Sequence, residues 1–169
     1  VRRQLLTMKA YTESMRALVY KVAEQIDVAR HGADEVARTE AQEMVDLLIP
    51  LAKSYCTDVA ETVTSIGISL HGGMGFIEET GAAQFYRDNK ITQIYEGTNG
   101  IQAMDLVGRK LPMRAGGVLA DQVARMKASG CDLVIMGTIL RETIGTIGEA
   151  RKTGYSPTFF GSSAVYSDL

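Results

Sequence analysis

What most constrains this chain is one long helical stripe that ends in a cluster of glycines. From about residue 41 to 70, apolar residues recur every three or four positions, at Val45, Leu48, Ala52, Cys56, Val59, Val63, Ile66 and Leu70. That spacing puts them on one face of an α-helix and turns their polar neighbours away from it. Pro50 falls inside the pattern and predicts a kink or a new first turn, because proline has no N–H for the helical ladder. The stripe stops at His71-Gly72-Gly73-Met74-Gly75-Phe76. Three glycines in four positions are not helix interior; they permit a sharp turn and a close backbone approach to another group.

A second amphipathic pattern precedes the stripe. Residues 1–29 carry Leu5, Met8, Tyr11, Met15, Leu18, Tyr20 and Val22 near helical spacing. His31-Gly32 supplies the stop, with Gly32 suited to the left-handed position after a helix. The polar stretch 32–40 reads as a connection, with Thr39 as N-cap of the long helix and Glu40 and Glu43 near its positive end. Two long helices with a short connection predict a helical bundle. Shorter helices over about 78–87 and 98–110 complete this part, and Leu111-Pro112-Met113 marks its exit.

The rhythm changes after Ala115-Gly116-Gly117. An amphipathic helix over about 119–128, an apolar strand at 132–136, a helix over about 140–152 and a strand at 158–160 follow in turn. Helix alternating with buried strand is the pattern of a parallel α/β sheet. The expected fold class is therefore mostly α: a helical bundle over 1–113, a junction at 114–117, and a small α/β fragment over 118–169. A fragment of about 50 residues buries too little surface to be more than marginal, and its sheet edge stays open.

Composition narrows the function. A chain that is 22% charged and 46% hydrophobic is globular rather than disordered. With 18 basic against 20 acidic residues the net charge is −2, which is no footprint for nucleic acid. No apolar run approaches the roughly 18 residues of a membrane span. Val1-Arg2-Arg3-Gln4 is neither a start methionine nor the head of a signal peptide, so the chain is expected to begin inside a longer protein. Cys56 and Cys131 match no metal or redox spacing, and His31 and His71 are too few and too separated to ligate; no metal is expected.

The chemistry concentrates between Leu70 and Gln102. Glu96 lies in Ile94-Tyr95-Glu96-Gly97-Thr98, between apolar residues and the start of a helix. That setting has two readings. Partly desolvated, the acid has a raised pKa and becomes a usable base. Left in solvent, it is a loop acid helping to cap the helix that starts near Thr98. Gly72, Gly73 and Gly75 likewise read as a helix-ending turn or as a backbone cradle for phosphate.

Taken together, His71–Phe76 followed by Ile94–Thr98 resembles the C-terminal domain of the flavin-dependent acyl-CoA dehydrogenases. The preceding VRRQLLTMKAYTESMRAL and the following GIQAMDLVGRKLPM resemble the larger bacterial members, so the likeness covers about 1–113. It implies the helical bundle of that family, and a reaction: α,β-dehydrogenation of an acyl-CoA thioester to a trans-2-enoyl-CoA. It implies Glu96 as the general base for the α-proton, while the β-hydride passes to FAD. A carboxylate suits that task, since an apolar pocket closed by substrate tunes it upward. In that family the backbone N–H of the same glutamate also polarises the thioester oxygen.

The resemblance further implies that Gly72 and Gly73 form the turn approaching the diphosphate of FAD, usually FAD held mainly by a neighbouring subunit. Thr98 matches a residue near the adenosine side of the flavin. Arg87 resembles an arginine of the final helical layer, with a structural role as the alternative. Ser69 stands where the family often has glutamine, three residues before the paired glycines, which removes an adenosine-side contact; Asn99 and Gly100 also leave that side less defined. The implied partners are an acyl-CoA substrate, an electron-transfer acceptor and further copies of the chain in a homo-oligomer, in the cytoplasm, with neither nucleic acid nor membrane. The chain alone is expected to be inactive, because the family's middle β domain, which holds much of the flavin ring, is absent from it.

From about Val118 to Leu169, VARMKASGCDLVIMGTILRETIGTIGEARKTG followed by PTFFGSS resembles one lobe of a periplasmic solute-binding protein. The type is the branched-chain amino-acid one that feeds ABC importers. It implies an alternative function as the solute-binding component of such a transporter. Ser162 and Ser163 are then ligand-contacting hydroxyls at the carboxyl end of a strand, or else an ordinary polar loop. The two families do not normally share a chain, so a chimera joined near 114–118 is expected. A third reading is a helical domain with no ligand.

Overall fold

The computed structural model describes residues 1–136 and 140–161, so Ser162 and Ser163 lie outside the described residues. The chain is mostly helical and divides into two compact units, Val1–Ala103 and Met104–Leu169. The division falls earlier in the chain than the 114–117 junction read from sequence.

Unit 1 is built on two long helices, α1 (Arg2–His31) and α2 (Glu35–Leu70), which pack together along their lengths. Their pairing is antiparallel: the Ser14 and Tyr55 hydroxyls are hydrogen-bonded at 2.7 Å, and Met8 lies near Gly67. The connection is tighter than the polar composition of 32–40 predicts. Asp34, not Thr39, is the N-cap of α2, its carboxylate accepting the Ala37 N–H at 2.8 Å. Residues 35–40 are therefore helix. Gly32 is not left-handed either; its φ is −56° and ψ 150°. Glycine is needed there for another reason, because a Cβ would stand 2.6 Å from the Val28 carbonyl oxygen.

Pro50 starts no new helix. α2 runs through it unbroken, and Pro50 is among the most deeply buried residues of the chain. Packing against neighbouring helices offsets the missing ladder bond, which costs about 3 kcal/mol in an unsupported helix. Burial is uneven along the stripe. Ala41, Met44, Val45 and Leu47 are buried, whereas Ala52, Cys56, Val59, Val63, Ile66 and Leu70 are only half-buried.

Beyond α2 the chain folds back on it. A short helix α3 (Gly73–Phe76), a single turn at Glu78–Thr80, helix α4 (Ala82–Lys90) and a turn at Ile91–Gln93 follow. α3, α4 and the Ile91–Gln93 turn all pack on α2. The loop 94–98 then leads into α5 (Asn99–Asp105).

Unit 2 opens with a π-helical turn, Leu106–Lys110, and a 3₁₀ turn, Met113–Gly116, in which Arg114 and Ala115 have φ of 49° and 55°. Helix α6 (Gly117–Ala128), strand β1 (Leu133–Met136), helix α7 (Leu140–Lys152) and strand β2 (Thr158–Gly161) follow. β1 and β2 are parallel, with Leu133 opposite Thr158 and Met136 opposite Gly161. The alternating pattern expected after residue 117 is thus present as one small β–α–β unit. Its core is Val123, Ala150 and Tyr155, and the Tyr155 hydroxyl donates to the Cys131 carbonyl at 2.8 Å. Among the described residues no helix is long and apolar enough to cross a membrane.

Candidate functional site

The loop carrying Glu96 has an unusual backbone. Glu96 has φ 52° and Gly97 has φ 82°, two left-handed residues in succession. Glycine adopts that region freely, whereas a residue with a Cβ is held there at a cost of about 1–2 kcal/mol. Such strain persists only where the surroundings impose it, and it gathers at functional sites. Glu96 is exposed, and its neighbours Ile94 and Tyr95 are 55% and 51% exposed. The apolar cover expected from those two residues is not formed within this chain. The helix-capping alternative falls to a neighbour: Thr98 Oγ1 accepts the Ile101 N–H at 3.2 Å and caps α5.

Both shoulders of the loop are fastened to α2. Before it, Gln93 Nε2 donates to Asp58 Oδ1 at 2.7 Å. After it, Asn99 Nδ2 donates to the same oxygen at 2.7 Å, and Asn99 Oδ1 accepts from Lys53 Nζ at 2.8 Å. Farther along α2, Glu61 Oε1 accepts from Lys90 Nζ at 2.8 Å and from the Tyr86 hydroxyl at 3.2 Å. The Lys90 hydrogen bond holds the Glu61 carboxyl below its ordinary range, and the same bond holds the Lys90 ammonium above its own. Lys53, Thr57, Asp58 and Glu61 form one polar face of α2 at helical spacing. That spacing is visible in the sequence; what the face meets is not.

The three glycines after α2 serve three ends. Gly72 has φ 61° and ψ −143°, a conformation that essentially requires glycine. Gly75 is buried, and a Cβ there would stand 2.1 Å from the Ile68 carbonyl oxygen. Gly73 has neither requirement: its φ is not left-handed, and among the described residues no atom beyond its chain neighbours and its own helix backbone lies within 4 Å of where its Cβ would be. Gly72 and Gly73 are exposed. Their bare backbone is open to a group approaching from outside the chain, which fits the diphosphate of a flavin dinucleotide.

The Glu96 loop and the turn of Gly72 and Gly73 are anchored at different points of α2. The Asn99 anchor meets α2 at Asp58, and the glycine turn follows Leu70. Twelve residues of helix separate them, roughly 18 Å at 1.5 Å per residue. Arg87 is exposed and bonds Glu78 at 3.1 Å and Gln84 at 3.2 Å. Burial pushes the Cys56 thiol up, away from reactive thiolate character. Among the described residues no group of three or more His, Cys, Asp or Glu is placed to hold a metal ion.

The α1–α2 hairpin, with its glycine turn and the separately anchored loop of Glu96, is a helical domain that comparison with known proteins places in a family. Residues 1–111 match the acyl-CoA dehydrogenase C-terminal domain. The chain belongs to the acyl-CoA dehydrogenase family.

It is 55% identical over 129 residues to the 3-methylmercaptopropionyl-CoA dehydrogenase of Ruegeria pomeroyi, covering 76% of this chain and 22% of that protein. It is 42% identical over 116 residues to a butyryl-CoA dehydrogenase of Syntrophomonas wolfei, covering 69% and 19%. A broad-specificity linear acyl-CoA dehydrogenase of Mycobacterium tuberculosis is 37% identical over 124 residues, covering 71% and 20%. The chain thus spans about a fifth of the length of these relatives. A likeness covering 76% of 169 residues cannot end before about residue 128, so the resemblance to the Ruegeria protein continues past the expected junction and through α6. The β–α–β unit beyond α6 shares its architecture with many unrelated functions and assigns none.

Proposed function

We propose that this chain is the C-terminal helical part of an FAD-dependent acyl-CoA dehydrogenase, with Glu96 as its general base. The observation that carries the reading is the Glu96 backbone: a β-carbon-bearing acid at φ 52° on a loop fastened at both shoulders. An acid whose only task is solvation gains nothing from that arrangement, whereas a base must be aimed.

Glu96 takes the α-proton of the thioester on its carboxylate, and the electron pair of that C–H bond becomes part of the new α,β double bond. FAD, when bound, supplies the acceptor for the β-hydride. The Glu96 backbone N–H is offered to the thioester oxygen, where negative charge develops. Gly73, with Gly72 setting the turn, would admit the diphosphate of a flavin. That flavin is one held mainly by a second subunit, in keeping with the separation of roughly 18 Å along α2. Thr98 shapes the start of α5 on the adenosine side. The apolar cover missing around Ile94 and Tyr95 is then supplied by the acyl-CoA and by protein outside this chain, expelling water from the acid. A separate electron acceptor and a cytoplasmic location complete the reading.

The test is a hybrid enzyme with residues 1–111 of this chain in place of the matching segment of the Ruegeria pomeroyi dehydrogenase. The hybrid is expected to retain FAD and to turn over an acyl-CoA with an artificial electron acceptor. Glu96→Gln is expected to keep FAD and to lower kcat by about 10²–10⁴-fold. A Glu96→Gln hybrid as fast as its parent removes Glu96 from the mechanism.

A further inference from the structure

Both shoulders of the loop bearing Glu96 meet on one carboxylate oxygen. Asp58 Oδ1 accepts from Gln93 Nε2 on one side of the loop and from Asn99 Nδ2 on the other, each at 2.7 Å. Glu96 lies midway between the two donors in sequence. Each donor is itself held at its other end. Gln93 Oε1 accepts from Lys90 Nζ at 2.9 Å, and Asn99 Oδ1 from Lys53 Nζ at 2.8 Å. The Asn99 amide has only one workable orientation. Flipped, its NH₂ would face the Lys53 ammonium and its oxygen the Asp58 carboxylate. Thr57 adds a further bond to Asn99 at 2.9 Å, and the Asn89 side chain donates to the Thr57 carbonyl at 3.4 Å.

We propose that Asp58 is the positioning residue for Glu96: it ties residues 93 and 99 to α2 and so imposes the left-handed turn at 96–97. The role at Glu96 rests on the reading of that residue as the base; the clamp itself does not. Three features carry the inference. Glu96 does not hold φ 52° by its own preference. α2 is continuous from Glu35 to Leu70 and provides a fixed reference against which the loop is set. Asp58 is exposed, so its two hydrogen bonds, rather than core packing, are what its removal takes away.

The test is amide hydrogen exchange, followed by mass spectrometry, on the full 169-residue chain. The reporters are the Ile94 and Tyr95 amides, which donate to the Ile91 carbonyl at 2.9 and 3.1 Å. Asp58→Ala is expected to speed their exchange roughly 3- to 10-fold, the loss associated with a net hydrogen bond or two, while α1 keeps its rates. Asp58→Asn retains an acceptor oxygen for both donors and is expected to restore the parental rates. Asn99→Ala frees one shoulder from Asp58, Lys53 and Thr57 while leaving Gln93 tied to Asp58, and is expected to give part of the effect. Unchanged loop exchange in Asp58→Ala overturns the proposal. So does an acceleration shared equally with α1, or a failure of Asp58→Asn to restore the loop. Failure of the base reading shows separately, as a Glu96→Gln hybrid with full turnover and these exchange rates untouched.

Discussion

Gly75→Ala is the substitution whose effect the structure specifies most closely. The new Cβ would stand 2.1 Å from the Ile68 carbonyl oxygen, 2.9 Å from the Ile68 carbonyl carbon and 3.0 Å from the His71 Cβ. Opening the first contact from 2.1 to the 3.0 Å below which real Cβ atoms essentially never come requires a shift of 0.9 Å. Ile68 is poorly free to make it, because its carbonyl lies in the last turn of α2 and accepts the His71 N–H at 3.1 Å. The turn 71–75 must therefore move, and overpacking of that kind costs about 1–3 kcal/mol. The reduced freedom of the unfolded alanine chain returns about 0.4–1 kcal/mol. A net loss of about 1–2 kcal/mol remains, or about 5–15 °C in the midpoint of a domain near 100 residues.

Gly73→Ala is the internal control. Among the described residues its Cβ meets nothing within 4 Å beyond its own turn, and its φ is not left-handed. Its midpoint is expected to match or slightly exceed that of the parent. In the hybrid enzyme the order reverses for cofactor: Gly73→Ala is expected to lose FAD, read as flavin absorbance after gel filtration, without losing stability. Thermal unfolding followed by circular dichroism at 222 nm separates the variants. A Gly75→Ala midpoint within a degree or two of the parent refutes the steric reasoning. A Gly73→Ala loss as large as that of Gly75→Ala refutes the division of labour among the glycines.

Two further outcomes follow from the site. Glu96→Gly relieves a left-handed residue of its Cβ, so it is expected to raise stability by about 0.5–1 kcal/mol in urea unfolding while abolishing turnover in the hybrid; a fall in stability would show that Glu96 is not strained. The Glu61–Lys90 pair sets a pH dependence. The Glu61 pKa is depressed in the folded chain, so its contribution is present above its unfolded value and is lost as pH falls through the folded one. The Lys90 pKa is raised, so its contribution is present below the ordinary lysine range and is lost as pH rises through the folded value. Urea unfolding of the parent and Glu61→Gln at low salt is expected to differ at neutral pH and to converge toward acid; a constant difference would detach the effect from titration.

The elements were legible where periodicity is strong. α1, α2, α6 and α7 follow from apolar spacing, and β1 and β2 from short apolar runs. Caps were less legible. Asp34 and Thr39 are both good N-caps by side-chain chemistry, and the residues between them carry no apolar stripe to say where the helix begins. Pro50 reads as a break by its own chemistry, yet its deep burial within α2 overrides it. Glu96 was visible as an acid in apolar company, either desolvated or left in solvent; only the structure decides for exposure, because Ile94 and Tyr95 are half exposed themselves. The Asp58 clamp carried no local signal at all: its partners lie 35 and 41 residues away along the chain.

The sequence by itself thus determined what depends on neighbours within a turn or two. It set which stretches wind into helices and that a glycine cluster must end α2, and it singled out Glu96 as the candidate base. Those properties follow from backbone preferences and side-chain spacing, which act over a few residues. Only the tertiary structure decided which glycine is forced by packing and which is left open. It alone joined Gln93 and Asn99 to one oxygen of Asp58, and it set the glycine turn roughly 18 Å along α2 from that joint. Those outcomes depend on the register and angle at which α4 and its following turn pack on α2, and no spacing within a single segment encodes them.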